Sequence, residues 1–289
     1  MKKLVVFILM LAVSLPVLAR EDKKHNFELA YEYSDYGYRE PHMDYPIHIT
    51  AIKQGASLVY TRNSVMSGDV DPDDPTFASL EFRYMNGKAD YDGYLQPGGI
   101  PFKTYNEKDY YMEAALKFGK YYALGTETTR LWPYLGIGWR SLRNGEDGLQ
   151  DYGGVIGYSY QRTSTYVYIP LGLNLTFEMG PASRFTVNGQ FDWLIHGNQN
   201  SHVDDSWNVN SVSNKQDKGF GLRVSGKLET DLGGIGLFVE PFYRYWKIQN
   251  SQKVTYYVVD SGGHIVGEGQ MWEPFNITRE YGIRAGITF

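Results

Sequence analysis

Apolar and polar residues alternate with a period of two in segment after segment of this chain, and that pattern leaves few folds open. In 27–33, Phe27, Leu29, Tyr31 and Tyr33 alternate with Glu28 and Glu32. In 166–178, Val167, Ile169, Leu171, Leu173, Leu175 and Phe177 alternate with Tyr168, Asn174, Thr176 and Glu178. The same holds for Phe185, Val187, Phe191, Trp193 and Ile195 against Thr186, Asn188, Gln190 and Asp192. It holds again for Phe220, Leu222, Val224 and Leu228 against Arg223, Ser225, Lys227 and Glu229. Side chains of a strand point to opposite faces in turn, so each segment is a strand with one apolar and one polar face. A soluble sandwich also alternates, but it buries its apolar faces between two sheets and seldom loads the other face with full charges. A membrane barrel does the opposite, with apolar rows toward lipid and a polar lumen.

Other features agree with the barrel. The last segment, 281–289, ends its alternation on an aromatic residue, Phe289, as strands that close outer-membrane barrels do. Lys2 and Lys3, the apolar run Leu4–Val13 and the small-residue site Val17-Leu18-Ala19 read as a secretory signal over 1–19, leaving 20–289 as the barrel. Aromatics make up 16% of the chain, cysteine is absent, and mean hydropathy is −0.41, too polar for a bundle of membrane helices. Without cysteine there is no thiol catalysis or thiolate metal site. The net charge is −5 with no basic block, which argues against nucleic acid.

The fold class expected is all-β: a transmembrane antiparallel barrel of ten strands with long extracellular loops, located in the outer membrane. The strands fall near 26–40, 49–63, 77–88, 109–123, 130–143, 159–179, 183–199, 216–231, 235–250 and 270–289. Turns at 180–182, 232–234 and 125–129 are short, whereas the connections at 88–108, 144–158, 200–215 and 251–269 are long. Short turns belong on the periplasmic side and long loops outside. The segment 64–76 departs from this rule, and its Asp69, Asp71 and Asp73 mimic a calcium loop. Asp74 replaces the required Gly and Leu80 the required Glu, so a solvated Asp/Pro turn is expected there. No phosphate loop, dinucleotide fingerprint or zinc motif is present, and neither cofactor nor metal is expected.

Two polar clusters could carry chemistry. Asp90 and Asp92 lie where the third strand runs into a long loop, and two carboxylates so spaced can share a proton or position water. Trp193 leads through His196, Asn198 and Asn200 to His202; continuing the strand's parity would project these even-numbered residues into the barrel mouth. A His facing a carboxylate pair is a candidate general base.

With these motifs the chain resembles the omptins, outer-membrane proteases in which an Asp pair faces an Asp–His pair across an extracellular groove and activates water. The resemblance rests on ten strands, the Asp90-x-Asp92 pair and the nine-residue spacing from Trp193 to His202. It implies that Asp90, Asp92 and His202 are catalytic, with Asn200 steadying the imidazole where the family has an acid. It also implies that Glu40, in Tyr38-Arg39-Glu40-Pro41, helps bind a basic substrate side chain, with Asn198 in the place of a second acid. The implied partners are outer-membrane lipid, lipopolysaccharide included, and a peptide or protein substrate. Three classes stay open: a surface endopeptidase, a non-catalytic barrel for surface binding or adhesion, and a small porin.

Overall fold

The computed structural model describes residues 24–66, 75–95, 99–145, 148–152, 154–205 and 209–289. The signal segment 1–19 and the Asp69–Asp74 turn lie outside these residues. Among the described residues, ten strands form one closed antiparallel barrel: β1 (His25–Glu40), β2 (Ile47–Asn63), β3 (Thr76–Leu95), β4 (Ile100–Lys120), β5 (Thr126–Asn144), β6 (Arg162–Glu178), β7 (Ser183–Ser201), β8 (Gly219–Asp231), β9 (Gly236–Ile248) and β10 (Asn276–Thr288). Each strand pairs with its neighbours in sequence, and β10 pairs both β9 and β1, with Glu32 opposite Arg284. Closure leaves the barrel without an edge, which a spanning sheet requires because lipid offers no hydrogen bonds.

The alternation seen in the sequence is the wall of this barrel. Leu29, Leu58, Leu80, Phe82, Leu116, Leu135, Ile137, Leu171, Leu173, Val187, Leu222 and Val224 all point outward and are exposed. Outward aromatics gather toward both ends: Phe27 packs on Tyr60 and Phe289 at the end holding the termini, and Tyr84 meets Tyr110 toward the other.

The polar parity fills the lumen with ion pairs. Arg223 bridges Asp192 (2.6 Å) and Glu113, Arg83 bridges Glu32 (3.0 Å) and Glu113 (3.4 Å), and Arg244 bridges Glu32 (2.8 Å) and Glu280 (3.5 Å). Arg284 holds Glu28 (2.9 Å) and Glu240 (2.6 Å), while Lys227 pairs with Glu28 and Glu229, and Lys53 with Asp109. Tyr111, Tyr168, Met85 and Lys53 are wholly buried at mid-barrel, with Trp246 stacked edge-on to Tyr168. Gly138 makes room for this filling: a β-carbon there would sit 2.2 Å from the Tyr168 ring. The mid-barrel is therefore packed, as expected of a narrow barrel, and it separates a cavity of ≈ 550 Å³ at the loop end from a polar one of ≈ 230 Å³ at the termini end.

The connections at 179–182 and 232–235 are short, as expected, and so is the link from β4 to β5. All four stretches expected as long loops carry strands. Residues 88–95 and 100–108 continue β3 and β4 as a paired hairpin with one bulge, Gly148–Tyr152 pairs with Val155–Ser159, and Val254–Val259 pairs with Ile265–Met271. The last of these turns at Asp260, whose Oδ1 accepts the N–H groups of Gly262 and His264 at 2.8 Å each, with Gly263 at φ 80°. In the fourth stretch, Val212–Lys215 adds a short strand beside the end of β7. Val203, Val209 and Val212 then pack under Val254, Tyr256, Val258 and Met271, so the Val254–Met271 hairpin folds over the barrel mouth.

Candidate functional site

One feature decides which side chains line the mouth. In β7, Ile195 is an extra residue: Leu194 pairs with Tyr168, yet His196 pairs with the very next residue of β6, Val167. A bulge of this kind shifts parity by one and turns every later side chain to the other face. Asp192 and Leu194 point inward before it; Gly197, Gln199, Ser201 and then Val203 point inward after it. The expectation that the even residues enter the mouth is thereby corrected. His196 and Asn200 are exposed and Asn198 is partly exposed; Asn198 Nδ2 donates to Asn200 Oδ1 at 3.0 Å, and Ser213 Oγ donates to Asn198 Oδ1 at 2.8 Å. His202 is half-buried, its Nε2 3.4 Å from Thr163 Oγ1, with its backbone N–H bonded to Gln161.

Strand β3 shows no such flip. Its odd residues face inward from Phe77 to Ala89 and Tyr91, and its even residues face outward. Asp90 and Asp92 therefore project outward, on the same side as Phe82 and Tyr84 and away from the cavity. Asp90 Oδ1 accepts the N–H of Asn106 (3.0 Å), whose φ of 61° marks a bulge in β4, and Asp92 pairs with Lys103 at 2.6 Å. The structure does not bring Asp90, Asp92 and His202 together around the mouth; none of the three lines the cavity. The physical reason is parity alone, since an outward row cannot reach the lumen without a one-residue slip.

Glu40, which the resemblance implies for substrate binding, lies at the loop end of the barrel. It ends β1 on the inward parity, is 1% exposed and lines the cavity, accepting a hydrogen bond from Tyr38 Oη at 2.7 Å. Arg162, from the start of β6, approaches it at 3.9 Å. Facing both is Glu273, an acid that the strand pattern did not single out, on the short return from the Val254–Met271 hairpin to β10. Its backbone is fixed on both sides: Glu273 N donates to Ser251 Oγ (2.8 Å), and Ser251 N donates to Glu273 O (2.9 Å). Glu273 is 3% exposed; its carboxyl has Gln199 and Ser201 as side-chain hydrogen-bonding neighbours, and Oε2, itself without exposed surface, has no partner at full hydrogen-bond geometry. Burial pushes this carboxyl up to about 7; Arg162 opposes the rise and Glu40 adds to it.

The walls above this floor are apolar: Ile47 and Ile49 from β2, Phe102 from β4, and Tyr91, Tyr256 and Trp272 around them. Thr104 Oγ1 is a second lining atom buried without a partner. Among the described lining residues the acids Glu40, Glu107 and Glu273 face a single cation, Arg162. Apolar walls with a few convergent polar groups are the usual make-up of a ligand site. No cluster of His, Cys, Asp and Glu able to hold a metal occurs among the described residues.

No protein-family profile and no curated protein sequence matches the chain. Solved structures do. The outer-membrane protease OmpT from Escherichia coli is similar at a TM-score of 0.58 and 12% identity, over 96% of this chain and 99% of that one. A major outer-membrane protein from Thermus thermophilus scores 0.39 at 12% identity, over 92% and 100% of the two chains. The translocator domain of the autotransporter NalP from Neisseria meningitidis scores 0.42 at 10% identity, over 93% and 89%. Identities this low establish fold alone. Together with the apolar outer belt, that fold makes the chain an outer-membrane β-barrel.

Proposed function

We propose that this protein is a non-catalytic surface-binding barrel whose loop-end cavity takes a ligand with an apolar body. One observation carries the choice over a surface endopeptidase of the omptin pattern: the inward-facing positions of β3 and β7 toward the mouth are Ala89, Tyr91, Gln199, Ser201 and the adjoining Val203. None of these side chains can take a proton from water near neutral pH. Asp90, Asp92 and His202, which could, face away from the space a substrate would occupy. With the termini on the periplasmic side, as bacterial barrels place them, the cavity opens to the cell exterior. Outer-leaflet lipid, lipopolysaccharide included, covers the outward belt, and Glu40 serves as one of the acids at the cavity floor. The packed mid-barrel opposes the porin alternative, because a solute entering at the loop end meets Tyr111, Tyr168 and Trp246.

The test is incubation of refolded protein with lipopolysaccharide and a mixed peptide library, beside Asp90→Asn and His202→Ala. The expected result is no cleavage by any of the three. Cleavage that disappears in His202→Ala would reinstate the endopeptidase. Binding is read from Trp272, which lines the cavity: a ligand should change its emission, and Met43→Trp, which fills the cavity from the turn between β1 and β2, should abolish that response after correction for the added indole.

A further inference from the structure

The second cavity, at the termini end, has a wall that its own ion pairs leave one-sided. Seven arginines and lysines line it, against the acids Glu28, Glu81 and Glu240. The other acids of the network stand behind their cations. Arg83 on β3 and Arg223 on β8 keep 15% and 11% of their side chains exposed, whereas their partners Glu32, Asp192 and Glu113 keep 0%, 0% and 5%. Each pair is neutral as a whole, yet it turns donors toward the water of the cavity. Those donors are not all engaged. Arg83 bonds Glu32 through Nε and Glu113 through Nη1, and Arg223 bonds Asp192 through Nε and both Glu113 and Tyr168 through Nη2. Arg83 Nη2 and Arg223 Nη1 bond to no described protein group, and neither nitrogen is buried. Both guanidinium groups hold the same Glu113 carboxylate, and Arg223 is near enough to Arg83 and to Lys117 on β4 to repel each. An anion on the cavity side of these three would relieve that repulsion without displacing an acid.

We infer that Arg83, Arg223 and Lys117 form a periplasmic-side site for a tetrahedral oxyanion of the phosphate class, received on Arg83 Nη2, Arg223 Nη1 and Lys117 Nζ. Guanidinium N–H groups match the spaced oxygens of an oxyanion, and an ammonium adds a point charge beside them. Donors from three separate side chains suit an anion whose oxygens leave one plane, which a carboxylate or chloride lacks. At about 30 Å³ per water, the cavity of ≈ 230 Å³ holds such an anion with several waters. The hydrogen-bonded wall shuts lipid headgroups out of the lumen, and Tyr111, Tyr168 and Trp246 separate it from the mouth, so the anion enters from periplasmic water. Glu81 opposes it. This acid is 28% exposed, lines the same cavity and holds Lys117 Nζ at 2.7 Å, so it competes with the anion for that ammonium. The site is independent of the loop-end cavity, and its failure leaves the proposed function as it stands.

The experiment titrates the refolded full chain, in octyl glucoside micelles that carry no phosphate, with sodium phosphate, sodium acetate and sodium chloride in turn at matched ionic strength. Calorimetry reads binding, and the emission of Trp132, which lines the cavity, reports its place. The expected result is saturable phosphate binding with a Kd of about 1 mM or tighter, and affinity for acetate and chloride at least about tenfold weaker. Arg83→Gln should lose at least about tenfold in phosphate affinity. Glu81→Gln should gain at least about threefold, because it removes the competing acid, and a gain cannot come from misfolding. Lys103→Gln, which removes a cation from the outer face at the loop end, should change nothing. Arg83→Gln leaves two buried acids short of a cation, so its heat-modifiable mobility is checked first; where the barrel is lost, Glu81→Gln decides. No saturable phosphate binding, acetate or chloride bound as well as phosphate, unchanged affinity in a folded Arg83→Gln, unchanged or weaker affinity in Glu81→Gln, or a loss in Lys103→Gln equal to that in Arg83→Gln would each overturn the site.

Discussion

Glu32 is the most connected acid of the lumen, and removing its charge measures what the ion network is worth. It is fully buried, with Arg244 at 2.8 Å, Arg83 at 3.0 Å and Arg284 at 3.8 Å. Glu32→Gln keeps the shape and leaves three guanidinium groups short of one counter-charge. Breaking a buried pair from one side costs about 3–5 kcal/mol, because the remaining ion stays desolvated. Each arginine here keeps another acid, Glu280 for Arg244, Glu113 for Arg83, Glu28 and Glu240 for Arg284. The lower end of the range, about 3 kcal/mol, is therefore expected. The reference is Asp92→Asn, which breaks a pair whose members are 57% and 34% exposed and should cost about 0–1 kcal/mol. Adding Arg244→Met to Glu32→Gln should give back part of the loss, with a coupling of about 0.5–3 kcal/mol. Reversible urea unfolding in lipid vesicles, followed by tryptophan emission, reads the wild type, Glu32→Gln, Arg244→Met, their combination and Asp92→Asn. If Glu32→Gln costs no more than Asp92→Asn, the lumen is solvated well enough that its ion pairs do not organise the barrel, and the reasoning fails.

Other outcomes follow from the same structure. Purified protein in planar bilayers should show no steady conductance, and Tyr111→Ala with Tyr168→Ala should open a small one; large open channels in the wild type would contradict the packed mid-barrel. Leu135, 60% exposed in the middle of β5, should tolerate Ile but lose about 2–4 kcal/mol as Arg in the same vesicle unfolding assay. Deleting Ile195 should remove the bulge but leave the faces as they are, because His196 then follows Leu194 in plain alternation: a cysteine at Gln199 should stay shielded from a bulky aqueous maleimide and one at Asn198 reactive, in the deletion as in the wild type. The reverse order in the wild type would show that the bulge is misplaced.

The sequence already exposed most of the barrel wall, because a single period of two sorts Leu80, Phe82 and Tyr84 outward and Arg83 inward without reference to any neighbour. Carried along β1 and β3, the same alternation runs inward at Glu40 and outward at Asp90 and Asp92. What it could not carry past a point is register. Ile195 sits in an apolar, alternating run and looks like any lipid-facing residue, yet as an extra residue it inverts the roles of Asn198, Gln199, Asn200 and Ser201. The capping hairpin was legible and passed over: Val-Thr-Tyr-Tyr-Val-Val before Asp-Ser-Gly-Gly is a β-branched and aromatic run followed by turn residues. Glu273 had a weaker signal, an acid set between Trp272, Pro274 and Phe275, and only three-dimensional closure brings it opposite Glu40.

The way β10 returns to β1 also sets an order of events in assembly. Ser34 donates to Glu280 across 246 residues of chain, and Arg284 reaches Glu28 across 256. Arg244, on β9, reaches Glu32 across 212. Until the final strand docks, the acids of β1 have none of the partners carried by β9 and β10, and their carboxylates must stay in water. Contacts of such long separation make folding slow, although closing so long a loop costs little more than closing one half its length. The lumen thus cannot condense progressively from the first hairpin onward. It forms when the C-terminal strand latches, and a chain stopped before residue 276 would hold an open seam and a wet, charged interior.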